Sequence, residues 1–595
     1  KMKRKVNSNA LRESLALLGD HPATCIVVVI LALVYTGMML SVPIFMGNAI
    51  DLALGGIITL DLVESRKFLF FVYVGLMSGF TLLSGVAQYF FEYAANLLAQ
   101  ETVKSLRDSV FEKLSYLPIK AIDSRPHGDM LSLVTVDTEN VMTGLTALLK
   151  QLIEGVFTLL FTIAFMFYLN WILAAVVLLL TPLSFFVSIA VSKHTGRNFK
   201  AQAKTAGSLA GLTLERIRNY RAVRSFNLQR ASQDRFNEID QRLYVEGQKA
   251  QFMSSWTNPS TRLVNNVVYA TIAVTGAILL ASGSLLEPYG AVLTIGGLSI
   301  FLNYALKFAK PFNEISSVAT EIQNAEASMA RLSALLAQKD ERQLDKDLTS
   351  MVPANLRTIE FSAVEFGYEP NQKVIKGLDL DVYAGHKMAI VGPTGCGKTT
   401  LINLLLRFYD PVNGKILLGG IDSAGLKRGK VRSLFGMVLQ DTWIFRGTIR
   451  ENIAYAKPDA TLAEIKRAAE KAQANQFIER LPHKYDEVIS ADGGLSEGEK
   501  QLISIARVIL LDPKMIILDE ATSSLDAVSE KKITAAIAEL SSNRTSIVIA
   551  HRLQTIVSAD AIAVMENGKV GEIGTHDELM AKKGAYYRMY TSQYN

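Results

Sequence analysis

The first half of the chain is built from long apolar runs separated by polar stretches, and the second half from short apolar runs separated by turns. Near-continuous apolar residues occupy positions 24–50, 68–98, 141–168, 171–192, 261–283 and 291–312. Each run reaches the roughly 20 residues a helix needs to cross a hydrocarbon core of about 30 Å. A secretory leader has an apolar core of only about 7–15 residues, whereas the first run continues from Cys25 through Pro43 to Ile50. The expected architecture is therefore a membrane domain of six helices. Lys1, Lys3, Arg4 and Lys5 precede the first run and place the N-terminus in the cytoplasm, to which six crossings return the chain.

The connections differ in length. Those near Gly55–Arg66, Asn170 and Gly283–Tyr289 are short and read as outside loops. Those near 99–140 and 193–260 are long, polar and helix-prone, and carry Arg107, Lys113, Arg197, Lys200, Arg216, Arg218, Arg221 and Arg224. A helix from 68 to 115 would be about 70 Å long at 1.5 Å per residue, more than twice the bilayer core. The membrane helices are thus expected to project into the cytoplasm and to turn back near Pro118, Gly128 and Asn219. The turns would present short segments near Ile119–Asp123 and Arg221–Phe226, which taken alone read equally well as solvated loops. Gln88, Glu92, Lys150, Glu154, Asn265, Asn266, Asn303 and Lys307 fall at membrane depth. Such residues face a partner or a wet cavity, or snorkel from helix ends, and they do not identify a substrate.

Composition agrees with a chain in two parts. A length of 595 residues exceeds one core. With 49% hydrophobic residues and a mean hydropathy of +0.23 the chain is too apolar for a soluble enzyme, and with 20% charged residues too polar for a purely membrane protein. The net charge of +6 is modest, and the basic clusters read as cytoplasmic flanks rather than a nucleic-acid surface. Cys25 and Cys396 stand far apart in unlike contexts, which argues against a disulfide framework or a zinc site.

The second half carries phosphate chemistry. The apolar run 388–391 leads into Gly392, Pro393, Thr394, Gly395, Cys396, Gly397, Lys398, Thr399 and Thr400, followed by the apolar helix 401–408. This is a full phosphate-loop pattern: glycines let backbone N–H groups converge on phosphates, and the following helix adds its positive N-terminus. Lys398 is expected to reach the β- and γ-phosphates of ATP, and Thr399 to ligate Mg²⁺; Cys396 occupies a variable position. The apolar strand 514–518 ends in Asp519 and Glu520, where one carboxylate can hold Mg²⁺ and the next can polarise water. His551 follows the strand 545–550 and is placed to meet the γ-phosphate.

Leu495-Ser-Glu-Gly-Glu-Lys-Gln501 lies upstream of Asp519-Glu520 and resembles the signature motif of ATP-binding-cassette (ABC) proteins. With the phosphate loop, Gln440, Ser523-Ser-Leu-Asp526 and His551, the nucleotide-site motifs stand in family order. The whole chain is similar to exporter-type half-transporters, with a six-helix membrane domain ahead of a soluble α/β P-loop ATPase domain. The resemblance implies that Tyr368 stacks on adenine, that Gln440 senses Mg²⁺ and the attacking water, that Glu520 is the catalytic base and that His551 is the switch histidine. It implies that Ser496 and Gly498 contact the ATP of the opposite cassette, that Asp526 lies at the cassette dimer interface, and that 119–123 and 221–226 are coupling helices. Membrane domain, linker and cassette are then expected over 1–325, 326–350 and 351–595.

Two departures from the family pattern stand out. The usual signature is Leu-Ser-Gly-Gly-Gln, but positions 497 and 499 are both glutamate here. Ala491-Asp-Gly-Gly494 also lacks the glutamate-containing stretch often found there and is about a residue short. An intact Glu520 and His551 beside an altered signature resemble one chain of a heterodimeric exporter, favoured here over a homodimer with tolerated variation. The resemblance implies transport of a small amphipathic, lipid, peptide or drug-like molecule by alternating access, in a bacterial cytoplasmic membrane with both termini inside. Siderophore-type uptake on the same fold remains open. An ATP-gated channel or regulatory subunit would be expected to lose Glu520 or carry an added segment, and a soluble nucleic-acid ATPase is excluded by the six apolar spans.

Overall fold

The computed structural model describes residues 18–19, 21–59, 64–282, 293–351, 358–370, 372–439, 442–490, 494–519, 527–549 and 556–594. The chain divides into two compact units, Lys1–Ser115 with His127–Gln338, and Tyr116–Pro126 with Lys339–Asn595.

The first unit is helical. Its long elements are Pro22–Thr59, Glu64–Ser115, a helical stretch over 127–169 with π turns at Leu133–Asp137 and Leu148–Leu152, Trp171–Arg218, the tandem pair Gln229–Ser255 and Thr257–Ser282, and Ile295–Leu336. Among the described residues, four helical stretches are long and apolar enough to cross a membrane: Pro22–Leu54, Arg66–Ser115, Gly128–Leu169 and Gln229–Ala281. Trp171–Leu183 is a shorter apolar stretch, and Ile295–Leu336 is diluted by Asn303, Lys307 and Lys310. At about 1.5 Å per residue the 52 residues of Glu64–Ser115 span about 78 Å, so this helix is far longer than a bilayer core.

Local chemistry sets the helix starts. The Asn170 side chain accepts hydrogen bonds from the backbone of Ile172 and Leu173 at 3.1 and 3.0 Å, capping Trp171–Arg218. Thr294 caps Ile295–Leu336, and the Asp51 carboxylate accepts from the Thr294 hydroxyl and the Gly296 N–H, each at 2.7 Å. One carboxylate thus ties the end of the first long helix to the start of the last. Pro43, Pro182 and Pro311 lie inside helices, where neighbouring helices can satisfy the freed carbonyls. Leu40, Met166, Ile272, Phe301 and Tyr304 are fully buried among these helices. The Tyr304 hydroxyl donates to the Leu40 carbonyl at 2.7 Å.

Several of the polar residues at membrane depth are partnered, whereas the buried Asn265 amide oxygen has no hydrogen-bond partner among the described residues. Glu92 pairs with Lys150 at 3.9 Å and accepts from Gln88 at 3.0 Å. Glu154 pairs with Lys310 at 3.3 Å, a partner the sequence pattern did not single out. The Lys307 ammonium donates to the Met39 carbonyl at 3.0 Å.

The second unit is an α/β domain on two sheets. The strands are β1 (Ile359–Phe366), β2 (Ile375–Val382), β3 (Lys387–Val391), β4 (Asn413–Leu418), β5 (Ile421–Asp422), β6 (Phe435–Val438), β7 (Gly447–Thr448), β8 (Val488–Ile489), β9 (Met515–Asp519), β10 (Thr545–Ile549), β11 (Ala561–Glu566) and β12 (Lys569–Gly574). The larger sheet has the order β12-β11-β3-β10-β9-β6, parallel except for the β11–β12 pair. The smaller, antiparallel sheet has the order β2-β1-β4-β5. β3, β9 and β10 are near-continuous Met, Ala, Ile, Leu and Val, as strands covered on both faces require. One apolar core joins the two sheets around the helix Lys398–Leu405; the other packs Glu497–Leu511 and Leu462–Lys471 on the larger sheet.

The expected short helices are present as Ile119–Asp123 and Tyr220–Ser225. The first belongs to the cassette-bearing unit and the second to the helical one. Ile295–Leu336 runs on through positions read as the start of the linker.

Close packing makes some positions intolerant. A Cβ on Gly436 of β6 would stand 2.5 Å from both Pro513 Cγ and Val508 Cγ1, whereas one on Gly429 would meet nothing. Gly436→Val is expected to cost about 1–3 kcal/mol from overpacking and to lower the cassette's unfolding transition by several degrees. Gly429→Ala should leave it unchanged or raised, as thermal unfolding of the purified protein will show.

Candidate active site

Strand register assembles the site. Ile549 of β10 stands opposite Ile390 of β3 on one side and Asp519 of β9 on the other. The loop after β3 and the carboxylate ending β9 therefore leave the sheet at the same edge. Gly392, Gly395 and Gly397 all have positive φ (154°, 82° and 108°). At Gly392 a Cβ would approach the Met565 carbonyl to 2.3 Å, so this position admits no side chain. Gly397 caps Lys398–Leu405, and the first intrahelical bond is from Leu401 N to Gly397 O at 3.0 Å. The N–H groups of Lys398, Thr399 and Thr400 are thus free of helical partners and available to an anion.

Lys398 is 7% exposed, and its ammonium donates to the Gly392 and Pro393 carbonyls at 2.7 and 3.1 Å. The loop's own carbonyls hold the cation at its mouth, where a phosphate would replace them. Pro393, Thr394, Gly395 and Thr399 are exposed, and Thr400 and Cys396 are buried. Cys396 Sγ lies 3.9 Å from the Lys398 ammonium. Asp519 is half-buried at its strand end.

Tyr368 stands beside the loop. Its hydroxyl donates to Thr400 Oγ1 at 3.3 Å and accepts from Asn403 Nδ2 at 3.1 Å. Its ring packs edge-on against Phe366 and Tyr409, with centroids 5.0 and 5.1 Å away, while 46% of the residue remains exposed. An accessible aromatic face next to a phosphate loop can stack on a base.

The signature segment opens the helix Glu497–Leu511. Ser496 and Glu499 form a reciprocal capping box: Glu499 N–H donates to Ser496 Oγ at 3.3 Å, and Ser496 N–H donates to Glu499 Oε2 at 2.8 Å. Glu497 pairs with Lys500 at 2.8 Å, and Gly498 is buried. The two glutamates that depart from the family pattern thus have structural partners, and both stand where the helix dipole favours negative charge. The Ser-x-x-Glu spacing carried this signal in the sequence.

Gln440, Glu520, Ser523, Asp526 and His551 lie outside the described residues, as do positions 491–493. Glu520 follows Asp519 directly, and His551 follows Ile549 by two positions. A buried network that the motifs did not reveal flanks the site. Asp123 accepts from the Tyr409 hydroxyl at 2.7 Å, and Arg428 is held between Asp345 and Asp410 at 2.5 and 2.6 Å. Burial, reinforced by the Asp123 carboxylate, holds the Tyr409 phenol well above its ordinary pKa. For Arg428 burial works against the charge, but Asp410 and Asp345 more than offset it and raise its pKa.

Fold and site together define a P-loop ATPase carried on a bundle of membrane helices. Residues 25–308 match the family described as ABC transporter transmembrane region, and residues 375–523 that described as ABC transporter. An uncharacterized ABC transporter ATP-binding protein, YfiC of Bacillus subtilis, is 36% identical over 593 residues, covering 100% of this chain and 95% of its own. A fatty acid ABC transporter ATP-binding/permease protein of Mycobacterium bovis is 39% identical over 495 residues, 83% of this chain and 77% of its own. The solved structure of a bacterial Atm1-family ABC exporter with ATP bound superposes with a TM-score of 0.78 at 26% identity, covering 99% of both chains. This chain belongs to the ABC transporter family, as a half-transporter that couples ATP hydrolysis to export across a membrane and works as a dimer.

The capping box gives a graded test. Glu499→Gln keeps the reciprocal bonds available and should leave thermal stability within about 0.5 kcal/mol, while Glu499→Ala should cost about 1 kcal/mol. Equal losses in the two variants, measured by thermal unfolding, would discount the capping role.

Proposed function

We propose that this chain binds ATP on the loop 392–400 and uses Glu520 to hydrolyse it, driving export of an amphipathic, lipid-like molecule by alternating access. The observation that carries the reading is Lys398, buried and held by two loop carbonyls at the start of a helix whose first N–H groups have no helical partner. ATP would lie with its phosphates on that loop and its adenine on Tyr368. The Thr399 hydroxyl, Gln440 and Asp519 would hold Mg²⁺, which when bound offsets charge on the β- and γ-phosphates. Among the described residues no three acidic, cysteine or histidine groups cluster as an all-protein metal cage. That donor set suits Mg²⁺, which keeps water and phosphate oxygens as ligands. Glu520 would orient and deprotonate the attacking water, His551 would contact the γ-phosphate, and Ser496 and Gly498 would close on the ATP of the opposite cassette.

A lipid-like substrate is supported by the fatty acid transporter among the relatives. The helices Ile119–Asp123 and Tyr220–Ser225 would act as coupling helices, in a cytoplasmic membrane with both termini inside.

Glu520→Gln should lower turnover by about 10²-fold or more while ATP still binds; near wild-type hydrolysis would remove Glu520 from the role of base. Lys398→Ala should weaken ATP binding itself. Substrate-stimulated ATPase activity in proteoliposomes, with fatty acids, lipids, peptides, drugs and siderophores compared, tests the substrate class. A response confined to siderophores or peptides would refute the lipid reading.

The partner is proposed to be a second, different half-transporter with an unaltered signature. Glu497 adds a carboxylate near the opposite nucleotide, and its Lys500 partner offsets only part of that repulsion. Expressed alone, the chain should hydrolyse ATP slowly, and Glu497→Gly with Glu499→Gln should partly restore activity. Brisk cooperative hydrolysis by the purified single chain would establish a homodimer instead.

A further inference from the structure

The cassette-bearing unit contains a patch of buried charge that the ATP site does not need for phosphate chemistry. Arg428 is 8% exposed and bonds Asp345 with both its guanidinium and its backbone N–H, at 2.5 and 2.7 Å. The same guanidinium reaches Asp410 at 2.6 Å, and Arg407 binds the other oxygen of Asp410 at 3.0 Å. Arg432 grips Glu341 through two bonds of 2.8 and 2.7 Å. The Glu341 N–H donates to the Tyr116 carbonyl at 2.9 Å, and Arg342 lies over the Tyr116 ring at 4.1 Å. Two chain segments from outside the cassette proper, 340–345 and 116–123, are thus fastened to one patch.

Buried ion pairs are poor sources of stability, because desolvation cancels most of the Coulomb gain. Apolar side chains would hold these segments at least as firmly. What the charges supply is a fixed position, and the residue they fix is Tyr409. It precedes Asp410, is 9% exposed, donates its hydroxyl to Asp123, and sets its ring edge-on to Tyr368 at 5.1 Å and 87°. Phe366 packs edge-on to both rings, with centroids 5.0 Å from Tyr368 and 5.5 Å from Tyr409, so the three aromatics form one cluster.

We propose that Tyr409, held by Asp123 from the first cytoplasmic loop and by the Asp345–Arg428–Asp410 chain from the linker, is a positioning residue that sets how well Tyr368 stacks on adenine. The inference rests on the reading of Tyr368 as the adenine platform. Displacing either segment would tilt Tyr409, withdraw support from Tyr368 and weaken the base-dependent part of ATP binding, while the phosphate loop, held by its own backbone, would bind phosphates as before.

The test uses the full-length protein in its functional dimer and two ligands. The KM for ATP reads base and phosphates together, and the inhibition constant of inorganic tripolyphosphate reads the phosphate loop alone. Tyr409→Phe keeps the ring and removes only the hydrogen bond to Asp123. It is expected to raise the KM for ATP about three- to tenfold, with kcat and the tripolyphosphate constant unchanged. Asp123→Asn should act alike, and the pair should not add. Asp345→Asn should shift the KM in the same direction from the linker side, and Tyr409→Phe carries the test if that variant fails to fold. Parallel shifts in both constants would mean general damage to the domain and overturn the proposal. So would an unchanged KM for ATP in Tyr409→Phe alongside a raised one in Tyr368→Ala. If Tyr368→Ala itself leaves the KM unchanged, the adenine reading fails and the relay falls with it.

Discussion

Because Ile390, Ile549 and Asp519 stand level across β3, β10 and β9, the start of the phosphate loop and the Asp519 carboxylate lie at the same end of the sheet. Everything chemical in this protein depends on that register. In a parallel sheet covered on both faces, a slip of one residue would turn each strand's side chains to the opposite face. The sheet therefore fixes the phosphate loop against Asp519 more tightly than any single side-chain bond. The loop adds its own constraint at Gly392, where the Met565 carbonyl of the neighbouring strand leaves no room for a Cβ.

The same economy of charge operates in both units. Lys398 is buried only because two loop carbonyls accept from it, and Glu154 lies among the helices with Lys310 as its partner. An isolated charge in either place would be prohibitive. A charge held by an exchangeable partner costs less to keep and remains available to a ligand that offers equivalent bonds. Arg428 differs, since both its partners are carboxylates of the same unit, at 2.5 and 2.6 Å. It is committed to holding the chain in place.

Much of this architecture was legible in the sequence because its causes are local. Apolar runs longer than a bilayer, Gly392 to Thr400 after a strand, and Asp519 at the end of another each announce themselves within ten to thirty residues. The helices around Ile119 and Tyr220 were legible as reversals, from Pro118 and Asn219. What the sequence could not give was the pairing of distant residues. Asp123 meets Tyr409 across 286 positions, and Asp345 meets Arg428 across 83. No periodicity connects such residues, and each has an ordinary solvated reading on its own. Glu499 has two readings that depend on what it is set against: beside a family pattern it stands out as an extra charge, and beside Ser496 it completes a capping box.

The stretch joining the two units follows from these pairings. The helix Ile295–Leu336 ends four positions before Asp340, which caps Glu341–Leu344 and begins the segment pinned by Arg432 and Arg428. Four steps along the chain reach at most about 14 Å, so the connection is short. A long flexible tether would let the last membrane helix move without the cassette sensing it. Here the segment that follows the helix is tied to its own unit by the buried Arg428–Asp345 pair, whose loss of one partner would leave a buried charge at a cost of about 3–5 kcal/mol.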